Sequence, residues 1–128
     1  MAVVIGYIPD EYGEAALTAG IEEAQRRQTG VVIINSTRGD ALVDRRYVGV
    51  EGMVTLEERL AESGVEHELR QTMGRDVAEE ILAVATEVNA DAIVIGIRHR
   101  TPVGKLIMGS VAQRVIIDAA CPVVAVKP

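Results

Sequence analysis

Gly96, Gly109 and Ser110 have the types and spacing to hold an anion. Gly96 closes the apolar run Ala92-Ile93-Val94-Ile95, and Gly109-Ser110, thirteen positions further on, opens a helical pattern. A strand ending in glycine, a short loop and a helix beginning at Gly-Ser make a phosphate cradle. Small residues let backbone N–H groups approach the anion, and the unpaired N–H groups of the helix's first turn, at the positive end of its dipole, hold it. The intervening loop carries Arg98, Arg100 and Lys105, three permanent cations within eight residues, and also His99.

These cations belong to an acidic chain of formal net charge −6. Positions 1–91 hold 8 Lys and Arg against 18 Asp and Glu, whereas positions 92–128 hold 5 against the single Asp118. Basic charge gathers where the glycines are, which suits a small anionic ligand. An extended nucleic acid would be repelled by the rest of the surface. With no Phe or Trp and only 3 Tyr, the chain also lacks the aromatic platforms of single-strand binders. Read without a ligand, Arg98, Arg100 and Lys105 are solvated loop charges.

The 128 residues suffice for one domain, 1–128, burying about two-thirds of its unfolded surface. Its hydrophobic fraction of 48% is mostly Val, Ile, Ala and Leu, the composition of a buried parallel sheet. No run approaches the ~18 apolar residues of a membrane span, and Met1-Ala2-Val3 enters a strand without a basic flank. The expected setting is the cytoplasm, away from membranes. The lone Cys121 excludes an internal disulfide and is expected to be a buried structural thiol. His67 and His99, the only histidines, rule out a multi-histidine metal site.

The elements that must position the cradle follow from periodicity. Strand and helix patterns alternate throughout, predicting α/β units around a mostly parallel sheet. Strands are expected at Val3–Tyr7, Val31–Asn35, Val65–Arg70, Ala92–Ile95 and Val123–Val126; helices at about Glu11–Gln28, Val54–Ser63, Asp76–Asn89 and Ser110–Ala119. Ser36–Gly52 is polar and aperiodic, the pattern of a crossover loop. Alternation of Val65, His67 and Leu69 with Glu66, Glu68 and Arg70 marks a half-exposed edge strand with His67 partly buried. The last strand, Val123-Val124-Ala125-Val126, is apolar at a sheet edge and invites pairing with a second copy, so a homodimer is expected.

Several segments resemble the universal stress protein family: Gly74-Arg75-Asp76-Val77-Ala78-Glu79-Glu80-Ile81, Val88-Asn89-Ala90-Asp91 into Gly96, Gly109-Ser110-Val111-Ala112-Gln113-Arg114-Val115 and Cys121-Pro122-Val123-Val124. Gly13-Glu14-Ala15-Ala16-Leu17 resembles the family's first helix more loosely. The resemblance implies a doubly wound five-stranded parallel sheet in the order 3-2-1-4-5 with helices on both faces. It also implies a dimer through strand 5 and, in one branch, ATP binding. That branch carries glycine, two residues, glycine, nine residues, then glycine followed by Ser or Thr. Here Gly96, Gly109 and Ser110 match and His99 replaces the second glycine. Carried over position by position, the resemblance implies Gly96, His99, Gly109, Ser110 and Val111 near phosphate and ribose, Ile95 beside base or sugar, and Ser36 where a valine usually meets adenine. The aspartate that contacts the nucleoside after strand 1 is replaced by Ile8, with Asp10 two residues on as a substitute if the loop bends around Pro9.

Two functions follow. In one, a small dimeric stress-response protein binds ATP, ADP or AMP at the switch point between strands 1 and 4, with Arg98, Arg100 or Lys105 on the phosphates and Mg²⁺ arriving through them. In the other, the fold and dimer persist without the nucleotide as a protein-interaction module; Ile8, Ser36 and His99 favour this reading. His99 is either a phosphate contact when protonated or an exposed loop residue. Catalysis is not expected beyond slow ATP hydrolysis: Gly104-Lys105 is followed by Leu106, so no Gly-x-x-x-x-Gly-Lys-Ser/Thr loop exists, and no nucleophile elbow is present.

Overall fold

The computed structural model describes residues 1–37, 46–74, 76–97 and 109–128. In chain order they form β1 (Ala2–Gly6), α1 (Glu11–Arg27), β2 (Gly30–Thr37), α2 (Val50–Ser63), β3 (His67–Met73), α3 (Val77–Glu87), β4 (Ala92–Gly96), α4 (Ser110–Asp118) and β5 (Val123–Val126). The strands make one sheet in the order β3-β2-β1-β4-β5, every neighbouring pair parallel. Fold class and strand order are those expected.

The central strands are apolar on both faces because alternate residues feed two layers. Val4, Ile34, Ile93 and Ile95 pack under Ile81 and Val84 of α3 and Val115 of α4. Val3, Ile5, Val31 and Ile33 pack under Leu17 and Ala24 of α1 and Leu56 and Leu60 of α2. Each such Val, Leu or Ile side chain, when fully buried, contributes about 1.5–3 kcal/mol of transfer free energy.

Several boundaries differ from expectation, those of β2, β3 and α2 among them. Ser36, assigned to the crossover loop, lies in β2, which runs on to Thr37 because backbone pairing with β3 continues through Ser36↔Thr72 and Thr37↔Met73. β3 is displaced accordingly, starting at His67 instead of Val65 and reaching Met73. A polar composition hid this stretch: Thr72 Oγ1 donates to Ser36 Oγ at 2.9 Å, while the buried Thr37 hydroxyl has no hydrogen-bond partner among the described residues. Helix α2 begins at Val50, ahead of the expected Val54, with Gly49 as its N-cap. Residues 38–45 of the expected loop lie outside the described residues. Cys121 is half-buried, and burial raises its thiol pKa above the ordinary value.

Candidate functional site

The carboxyl ends of β1, β2 and β4 open into a cleft of about 420 Å³, in the size range of small-molecule sites. Ile34, Ile81 and Ile95 give it an apolar floor. One wall is the β1–α1 turn with Tyr7, Ile8, Asp10 and Tyr12; Ser36 and Arg46 lie toward β2, and Gly109, Ser110 and Val111 lead into α4. Ile8, Ser36, Ile95, Gly96, Gly109, Ser110 and Val111, singled out in the sequence, thus share one cleft. Arg98, His99, Arg100 and Lys105 lie outside the described residues.

Two glycines bring the β1–α1 turn into place. A Cβ on Gly13 would overlap the Ile8 carbonyl, and one on Gly96 would overlap the Tyr12 carbonyl. The first turn of α1 therefore sits directly on its preceding loop and on the end of β4. Gly96 is required here by packing within the chain. At Gly109 no described atom lies within 4 Å of a built Cβ.

Asp10 and Tyr7 are already engaged. The Asp10 carboxylate caps α1, accepting from the Gly13 N–H at 2.9 Å, which limits it as a replacement for an aspartate at Ile8. Tyr7 donates to Glu14 Oε1 at 2.7 Å, and Arg59 of α2 grips both Glu14 oxygens at 3.0 and 2.7 Å. Burial, reinforced by Glu14, pushes the Tyr7 phenol up to about 12, so it stays neutral. Arg59 holds the Glu14 carboxyl below its ordinary range. Tyr7, Tyr12 and Arg46 were missed in the sequence. No periodic signal marks the two tyrosines, and Arg46 reaches the cleft through a segment held by buried Asn35. The Asn35 amide donates to the Arg46 carbonyl at 2.7 Å and its oxygen accepts from the Val48 N–H at 2.9 Å.

Three helix N-termini border the cleft, through Gly13 of α1, Val77 of α3 and Ser110 of α4. Asp10 caps α1, and Asp76 caps α3 by accepting from the Glu79 N–H at 3.0 Å. Both helices also carry two glutamates in the first turn. Helix α4 begins at Gly109 without a side-chain cap and without an acid in its first turn. Among the described residues no side chain caps its first-turn N–H groups, which with the positive end of the helix dipole suit an anion. Arg114, one turn on, reaches Asp76 at 3.4 Å and Glu79 at 3.2 Å and ties α4 to the start of α3. Among the described residues no group of three or more His, Cys, Asp and Glu could hold a metal ion.

The sequence model of the universal stress protein family matches residues 1–127. The chain belongs to that family. A universal stress protein of Mycolicibacterium smegmatis is 50% identical to this family member over 126 residues, covering 98% of this chain and 97% of that protein. A solved universal stress protein of Archaeoglobus fulgidus superposes with a TM-score of 0.74 at 33% identity, covering 98% of this chain and 97% of that one. The Archaeoglobus fulgidus universal stress protein in complex with dAMP gives a TM-score of 0.68 at 28% identity, with 98% and 96% covered. No helix among the described residues of this universal stress protein is long and apolar enough to cross a membrane.

Proposed function

We propose that this universal stress protein binds an adenine nucleotide in the cleft, its phosphates on the first turn of α4 and its base toward β2. The observation that carries this reading is the contrast among the three bordering helices: α1 and α3 are capped by aspartate, while α4 offers uncapped N–H groups beside Gly109. An anion-binding end, an apolar floor and a relative in complex with dAMP support a nucleotide over a simple anion. Ile95 and Ile8 would flank the nucleoside, and Gly96 would line its path. Arg98, His99, Arg100 and Lys105 would supply positive charge to the phosphates, which would bring any Mg²⁺ with them. The protein acts in the cytoplasm by binding rather than turnover, as a homodimer joined through the free edge of β5.

A second reading, the same fold serving as a dimeric protein-interaction module, draws on Ile8 and on the engagement of Asp10 as a helix cap. Calorimetric titration with ATP, ADP and AMP, with and without Mg²⁺, separates the two. Binding in the micromolar range is expected, and absence of heat at high micromolar ligand would leave the interaction module. Ser110→Asp should abolish binding by setting a carboxylate against the phosphates; unchanged affinity would move the phosphates away from α4.

A further inference from the structure

At the β2 end of the cleft lies a buried hydroxyl with hydrogen-bonding capacity to spare. Ser36 is 4% exposed and lines the cleft. Among the described residues its side chain has one polar partner, the Thr72 hydroxyl 2.9 Å away on β3. A hydroxyl offers one hydrogen and two lone pairs, so two hydroxyls joined by a single bond keep one hydrogen and several lone pairs between them. The neighbouring Asn35 has no such freedom. It donates to the Tyr7 carbonyl at 2.9 Å and the Arg46 carbonyl at 2.7 Å, and accepts from Val48 at 2.9 Å and Gln71 at 3.0 Å. Alternation along the strand turns Asn35 and Thr37 to the face opposite Ser36.

We infer that Ser36, backed by Thr72, reads the 6-position of a purine through a hydrogen bond of either polarity, so the cleft takes 6-amino and 6-oxo purine nucleotides alike. This rests on the reading that seats phosphate at α4, which leaves the base at the β2 end. Toward a 6-oxo group, Thr72 donates to Ser36 and Ser36 donates to the base. Toward a 6-amino group, Ser36 accepts from the base and donates to Thr72. The Thr72 hydrogen then turns to water, which reaches this half-buried residue. Adenine and guanine differ at this position as donor and acceptor. A site of fixed polarity rejects the wrong one because a buried polar atom is left unpaired. The hydroxyl pair leaves none unpaired in either orientation.

The test titrates AMP, GMP and purine riboside 5′-monophosphate, which lacks a 6-substituent, into the wild-type protein, Ser36→Ala and the nearly isosteric Ser36→Cys. Wild type should bind AMP and GMP with Kd values within about tenfold of each other. Both variants, with unchanged thermal midpoints, should weaken AMP and GMP by about three- to tenfold, the effect of one neutral hydrogen bond, and leave the unsubstituted purine unaffected. A preference between AMP and GMP above about tenfold, or losses below threefold in both variants, overturns the inference while the nucleotide site stands. Failure of the wild type to bind any of the three overturns the nucleotide reading and this inference with it.

Discussion

At Gly96 a methyl group would fall on the Tyr12 carbonyl, so this glycine is needed whether or not a ligand is present. Gly96→Ala should lower the stability of the nucleotide-free protein by about 1–3 kcal/mol, as overpacking does. Urea unfolding without ligand measures it, and an unchanged midpoint would return Gly96 to a purely ligand-facing role. The residue was legible in the sequence, but its reason was not: a glycine ending a strand looks the same whether an anion or a helix lies above it. Ser36 was legible only by resemblance. Its polarity suggested a loop, and only pairing with Thr72, 36 positions away, explains a hydroxyl on the floor of a sheet.

Helix α2 illustrates what periodicity conveys and what it leaves out. Leu56 and Leu60 marked its buried face, yet nothing local announced the two contacts holding its polar side, Arg59 to Glu14 and Glu57 to His67. The His67 ring faces an acceptor at each nitrogen, the Val65 carbonyl at 3.0 Å and Glu57 Oε1 at 2.6 Å. Only the imidazolium donates at both. The Val65 carbonyl first and Glu57 second therefore raise its pKa above the ordinary 6.5. A raised value means that the stabilisation is fully present below pH 6.5 and is lost as pH rises through the folded-state value above it. With Glu57 largely exposed, the loss should stay under about 1 kcal/mol. Urea midpoints from pH 6 to 8.5 should fall for the wild type relative to Glu57→Gln, and parallel curves would remove the clasp. The helix N-termini were better marked: Asp10 and Asp76 stand where caps belong, and Gly109 lacks such a side chain.

The two edges of the sheet differ in how they meet solvent. Along β3, Arg70 pairs with Glu68 and with Glu87, and charge of this kind discourages strand addition. Strand β5 presents Val123, Val124, Ala125 and Val126 with no charge among them, which suits this edge to the homodimer proposed above. Ala125 is exposed in the single chain; Ala125→Asp should give monomers in sedimentation velocity with little change in stability, and a persistent dimer would exclude this edge. Strand order was legible through the family resemblance, since alternation alone predicts parallel α/β units without ranking them. That order bears on the nascent chain. Of the five strands β1 is made before the others, but it is flanked by β2 and β4, and Val3↔Ala92 and Ile5↔Val94 join residues about ninety positions apart. Until β4 is made, the first strand keeps one unpaired edge on a nearly all-apolar segment, and chain association in the cell is most probable during that interval.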